Sequence, residues 1–160
     1  MPRNNTEASP AVRKMKALPP AWFLIFVAIM LALHLLLPVC EVIGWPYRLL
    51  GVPPVLLGAG LNVWADALFK RARTTVNPFE TSTRLVTSGP FRFSRHPMYL
   101  GGVLMLIGLA VLLGSLTPAA AVPAWVVLMR VRFVAVEEEM MAETFGEAYQ
   151  EYRRRVRRWL

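Results

Sequence analysis

The sequence predicts an all-α membrane protein: a helix bundle of four transmembrane helices, followed by a cytoplasmic amphipathic helix. Three observations carry this. Apolar residues make up 56% of the 160-residue chain and are gathered into long runs free of formal charge. Basic residues fall almost entirely in alternate polar stretches, which gives the bundle two unlike sides. The final polar stretch repeats its apolar residues at steps of three and four, the period of a helix. The length suits a single domain, read here as 17–160, preceded by a flexible basic tail over 1–16.

Residues 1–16 are polar and carry Pro2 and Pro10, a composition that does not pack. Arg13, Lys14 and Lys16 before an apolar run look like the start of a signal peptide. The run Ala17–Cys40, however, holds 24 residues without a formal charge and no A-x-A site follows it, so it is read as a retained span. That span is placed at 19–38, with Pro19 and Pro20 suited to a first turn and Pro38 to a stop. Glu41, Gly44, Pro46 and Arg48 make a short turn. The second span, 49–69, tolerates Pro53 and Pro54 in its first turn and is closed by Lys70, Arg71 and Arg73.

Residues 70–96 are the longest polar stretch between spans, with six basic residues against Glu80 alone. From Pro97 to Met129 there are 33 residues without charge, too many for one ordinary span. The string Gly114-Ser115-Leu116-Thr117-Pro118 breaks them into a hairpin, with spans at 97–114 and 118–136. Residues 137–158 then read as an amphipathic helix, with Met141, Phe145, Tyr149, Tyr152, Val156 and Trp159 along one face. Its glutamates come first and its arginines last, the order that suits a helix dipole.

The net charge is +8, from 18 Lys+Arg against 10 Asp+Glu. In a membrane chain such an excess marks the cytoplasmic side, next to anionic lipid, and nucleic acid is set aside. Four spans put 1–16, 70–96 and 137–160 together, and only Arg48 among the basic residues falls in a loop opposite. The expected protein is multi-pass, with both termini cytoplasmic. Cys40 is the single cysteine, so no intramolecular disulfide forms, and with only His34 and His96 beside it no metal site is expected.

Two clusters remain for chemistry, both placed by this topology at the cytoplasmic interface. The first is SGPFRFSRHPMYLGG, residues 88–102, with Leu85 and Val86 just before it. The second is EEEMMAETFGEAYQEYRRRV, residues 137–156. Backbone groups freed by Gly89, Pro90 and Pro97 at membrane depth need partners, and a ligand is one. Both strings resemble the signatures of the isoprenylcysteine carboxyl methyltransferase family, and TTVNP at 74–78 is similar to its small microbial members. The likeness extends over about residues 50–160.

That resemblance implies an enzyme that binds S-adenosyl-L-methionine without a Rossmann domain, and a lipophilic methyl acceptor that enters from the bilayer. Leu85, Val86, Phe91, Arg95, His96, Pro97 and Tyr99 would line the cofactor pocket. Phe91 stands where the eukaryotic members have tyrosine. Glu137 or Glu138 would bind the cofactor's polar end, and Arg132, about a turn earlier, would contact the acceptor. Arg132 and Glu138 are thus the candidate catalytic residues. The cationic partner of the glutamates would be the cofactor, joined by Arg132 or Arg95.

Each residue also has a plainer reading. His96 could cap the third span, Arg95 could set topology, Tyr99 could belong to an interfacial aromatic belt, and Asp66 and Lys70 could be a helix pair. Two other functions stand beside the methyltransferase: a membrane reductase of the sterol-reductase type using NADPH, and a non-enzymatic membrane protein keeping the fold. The acceptor's reactive group could be a carboxylate, a thiol or an amine.

Overall fold

A computed structural model describes residues 19–37, 39–72 and 84–160. The N-terminal tail, Pro38 and the TTVNP string lie outside the described residues. Helix α1 runs Pro19–Leu36 and opens on its two prolines, as expected. A 3-10 turn, Tyr47–Gly51, leads into α2, Val52–Ala72. Helix α3 is Pro97–Leu113. It is followed by α4 (Leu116–Ala119), α5 (Ala121–Met129), a π-turn (Arg130–Val134) and α6 (Ala135–Arg155), which join into one long rod. Among the described residues, three helical stretches are long and apolar enough to cross a membrane, and α3 is a shorter apolar one. The protein is therefore an all-α membrane helix bundle.

A bilayer's hydrocarbon core takes about 20 helical residues. The 40-residue rod is far longer; Arg130 and Arg132 are its first charges, and its apolar part gives way to the acidic run that starts at Glu137. Many apolar side chains point outward, among them Leu24, Leu35, Leu56, Val63 and Val127. Facing lipid, such side chains need no protein partner, which is how this bundle differs from a soluble one. The small core lies where α1, α3 and α5 meet. Trp125 is 2% exposed and receives Phe23 and Phe26 edge-on at 5.7 and 5.4 Å.

The hairpin turn falls where the sequence placed it. Gly114 has φ of 73°, a left-handed cap that a side chain would strain, and Ser115 is extended. The loop after α1 is tied to this turn. The amides of Val42 and Ile43 donate to the Gly114 carbonyl at 2.8 and 3.0 Å, and His34 Nδ1 lies 2.7 Å from Ser115 Oγ. Arg48, the isolated basic residue of this end, is neutralised by Glu41 and donates Nε to the Ile43 carbonyl at 2.9 Å.

Helix α2 and the 3-10 turn before it touch α3 backbone to backbone through glycines seven residues apart. Gly58 faces Gly101, and Gly51 faces Gly108. A Cβ on Gly101 would sit 2.7 Å from the Gly58 carbonyl, and one on Gly108 would sit 2.5 Å from the Gly51 carbonyl. Small residues let membrane helices approach where no hydrophobic effect draws them together.

The C-terminal helix needs a correction. It does not reach residue 158. Gly146 departs from helical geometry with φ 52° and ψ −122°, α6 stops at Arg155, and Val156 is extended. The apolar face survives the kink: Tyr149 and Tyr152 are buried, and Met141, Phe145, Val156 and Trp159 are half-buried. Residues 156–160 leave the helix because their backbone is claimed elsewhere, as described below.

The glycine contact makes a prediction. Gly101→Val or Gly58→Val should lower thermal stability in detergent, by the roughly 1–3 kcal/mol of an overpacked contact. Gly60, with nothing within 4 Å of its Cβ position, is the control. Gly60→Ala should leave the unfolding temperature unchanged or slightly raised.

Candidate functional site

The site lies at the end of the bundle where α3 begins and the apolar part of the long rod ends. The approach to α3 is shaped by a 3-10 turn, Gly89–Arg92. Phe91 is buried against Phe69 at 5.2 Å, and its carbonyl accepts the Tyr152 hydroxyl at 2.7 Å. Ser94, also buried, receives the His96 amide at 3.2 Å and donates to the Arg158 carbonyl at 3.2 Å. The Arg95 amide donates to the Arg157 carbonyl at 3.0 Å. Residues 156–160 thus run back across the start of α3, and this is what draws them out of the helix.

These backbone contacts bring charged side chains together. Glu138 is 6% exposed. Its Oε1 lies 2.9 Å from Arg95 Nη2 and 3.0 Å from Arg158 Nε, and its Oε2 lies 2.6 Å from Arg158 Nη2. His96 stands between the two glutamates, with Nε2 3.3 Å from Glu138 and Nδ1 3.4 Å from Glu137. The Tyr99 hydroxyl donates to Glu137. Burial works against the Glu138 charge, but His96, Arg158 and Arg95 outweigh it and hold its carboxyl at about 2. Burial likewise disfavours a charged His96, yet the two carboxylates win and raise its pKa above the ordinary value. With both ring nitrogens facing carboxylates, only the imidazolium can donate to each.

The π-turn sets which glutamate goes deep. Buried residues follow one another at steps of four through Ala121, Trp125, Met129 and Phe133. Continued unbroken, the series would bury Glu137. The π-turn adds a residue, so that Phe133 and Val134 are both buried and the series resumes through Val134 to Glu138. Glu137 keeps a 19% exposed side chain.

Most of the expected residues meet here. Arg95, His96, Tyr99, Glu137 and Glu138 form the cluster, with buried Pro97 beneath it and half-buried Leu85 and Val86 on the approach. His96 does occupy the N-cap position of α3, but its ring makes no cap bond and turns to the glutamates instead. Tyr99 is buried rather than part of an exposed belt. Asp66 and Lys70 are the plain helix pair, 2.6 Å apart and outside the site. Arg132 needs a correction as a partner of the glutamates. It is exposed on the π-turn while Phe133 and Val134 turn inward, and Arg95 and Arg158 take the place expected of it. The missed residue is Arg158, hidden in a run of arginines that reads as a dipole complement.

A family pattern described as phospholipid methyltransferase matches residues 47–148, from the turn before α2 to beyond Gly146. The chain belongs to this family. Among similar family relatives, the probable protein-S-isoprenylcysteine O-methyltransferase of Oryza sativa subsp. indica is 29% identical over 116 residues, 70% of this chain and 60% of that protein. Protein-S-isoprenylcysteine O-methyltransferase B of Arabidopsis thaliana is 30% identical over 116 residues, 70% of this chain and 58% of that protein. The likeness read from the two motifs is thus borne out. The nickel-cobalt-cadmium resistance protein NccN of Alcaligenes xylosoxydans xylosoxydans is 34% identical over 75 residues, 47% of this chain and 35% of that one. The chain therefore spans about a third of that relative and under two thirds of the plant relatives. No solved structure matches.

The charges of the cluster fix a pH dependence of stability for this phospholipid methyltransferase family member. Glu138, held from 4.5 down to about 2, stabilises the fold above pH 4.5, and this is lost as pH falls toward 2. His96, raised from 6.5, stabilises it fully below pH 6.5, and this is lost as pH rises through its raised value. Unfolding followed in detergent should show greatest stability from the upper fours to the middle sixes. His96→Gln should flatten the alkaline side and shrink the acid side without abolishing it, because His96 also helps to lower Glu138 while Arg158 and Arg95 remain.

Proposed function

We propose that this protein is an S-adenosyl-L-methionine-dependent membrane methyltransferase acting on a lipophilic or amphiphilic acceptor. The observation that carries this is the convergence of both motifs on one buried polar cluster that is not fully met from within. Arg95 keeps Nε and Nη1 buried without a partner. S-Adenosylmethionine presents a carboxylate, an ammonium and a sulfonium, which suit an unmet guanidinium beside a pair of carboxylates. When bound it would supply a methyl group already activated on positive sulfur.

The chain's own task is to hold, align and exclude water. Arg95 and a carboxylate of the Glu137–Glu138 pair hold the polar end, with His96 and Tyr99 fixing that pair. Leu85, Val86, Phe91 and Pro97 form apolar walls. Arg132, exposed at the π-turn beside the bilayer, takes the acceptor's polar head. The family description names a phospholipid and the plant relatives an S-isoprenylcysteine, and both are amphiphiles. The cluster lies on the cytoplasmic side with both termini, as the one-sided basic residues support.

Calorimetry on the purified protein in detergent should show binding of S-adenosylmethionine and of its demethylated product. Folded protein that binds neither would rule the reading out. Glu143→Gln and Glu147→Gln, at exposed positions of α6, should bind as the parent does.

Cys40 is the sole cysteine and is exposed, so it reports topology without substitution. An impermeant maleimide should label it from outside intact cells. Labelling that requires permeabilised cells would reverse the orientation.

A further inference from the structure

The two glutamates of the site are filled very unequally. A carboxylate has about four lone-pair sites. On Glu138 they are met by Arg95 Nη2, by Arg158 Nε and Nη2, and by His96 Nε2, at 2.9, 3.0, 2.6 and 3.3 Å. Two of those donors belong to one guanidinium fork, whose planar geometry matches a carboxylate. Glu137 has the Tyr99 hydroxyl on one oxygen and His96 Nδ1 on the other. Among the described residues no guanidinium or ammonium pairs with it.

Arg158 lies outside residues 47–148, the part matched to the family. It reaches Glu138 because residues 156–160 are docked at three points. The Arg157 carbonyl takes the Arg95 amide, the Arg158 carbonyl takes Ser94 Oγ, and Trp159 packs against the hydrophobic core. The fork is held in place by these contacts of its own backbone and of Trp159. We propose that Arg158 is a positioning residue of the site: it clamps Glu138, and so leaves Glu137 as the carboxylate that receives a cationic group, the ammonium or sulfonium of the donor. This rests on the methyl-donor reading above.

Until such a cation arrives, His96 is the group that can meet the charge on Glu137. It is faced by Glu137 and Glu138 from α6, Tyr99 from α3, Arg95 beside it and Arg158 from residues 156–160, with Tyr149 behind Glu138. Its titration therefore reports both the clamp and the open carboxylate, and it does so without any ligand.

The test uses the full chain in detergent on a His34→Gln background, which leaves His96 as the single histidine. Two quantities are measured: the NMR titration midpoint of the His96 ring without ligand, and calorimetric affinity for S-adenosylmethionine. Arg158→Gln removes a cation near His96, so the midpoint should rise and affinity should fall several-fold. Arg158→Lys restores the charge without the fork and should lie between. Glu137→Gln removes an anion, so the midpoint should fall, and affinity should drop by at least about tenfold for a lost charge-assisted contact. Arg155→Gln, exposed and paired with Glu151, should match the parent in both. Opposite shifts from Arg158 and Glu137 variants are not produced by general loosening of the fold. A parent-like midpoint and affinity in Arg158→Gln, or parent-like affinity in Glu137→Gln, would overturn the proposal. Opposite shifts in a parent protein that binds no S-adenosylmethionine would support the clamp and overturn the donor.

Discussion

A carboxylate taken out of water must be met by cations or lose its charge, and Glu138 is such a carboxylate. The requirement organises the end of the bundle. Glu138 comes from the long rod, Arg95 and His96 from the segment entering α3, and Arg158 from residues 156–160. The segment entering α3 is far from the rod in sequence, and residues 156–160 follow directly on α6 but reach Glu138 only by turning back across the start of α3. Joining them through one side chain fixes how α3 and the rod approach each other at this end. At the other end a different set of bonds, around Gly114 and Ser115, does the same. Between the ends the helices meet lipid, and little inside the bundle needs to be polar.

Bringing Glu138 inward depends on a local departure from α-helical phase. The π-turn shifts the buried series by one residue, which turns Glu138 into the bundle and leaves Glu137 at its edge. Adjacent residues on a regular helix point about 100° apart, so one deep and one shallow carboxylate suit a helix that meets the site at a fixed angle. The close α2–α3 contact supports the same geometry from the other side. Gly58 and Gly101 let the two backbones touch, which anchors the first turns of α3.

Much of this was legible in the sequence where the signal is local. Long uncharged runs gave the spans, because each must satisfy a bilayer along its whole length. The glycine–serine break gave the hairpin, because a left-handed residue is needed there. The C-terminal stripe gave the buried face of α6, and motif likeness gave Arg95, His96, Tyr99 and the glutamates. What escaped depends on contacts between distant residues. The exit from the helix at Val156 is caused by Ser94 and Arg95, more than sixty positions away. Arg158 looks like its exposed neighbours Arg153, Arg154, Arg155 and Arg157, and only the return of the chain singles it out. Gly51 and Gly58 carry no message without Gly108 and Gly101 opposite.

Buried ion clusters are weak contributors to stability, since desolvation consumes most of the attraction, whereas removing one partner is costly because it strands a buried charge. That distinction bears on why such a cluster sits here. An apolar plug would hold α3 to the rod as well and would leave no charge exposed to a ligand. Glu138 with its two guanidiniums supplies the rigid part, and Glu137 and Arg95 supply the unfilled part beside it. A site of this kind accepts a ligand carrying both charges only if it presents them at the spacing of those two side chains. On the methyl-donor reading proposed above, the clamped Glu138 keeps that spacing fixed, so that the residue most buried in the cluster would act on the ligand through its neighbours.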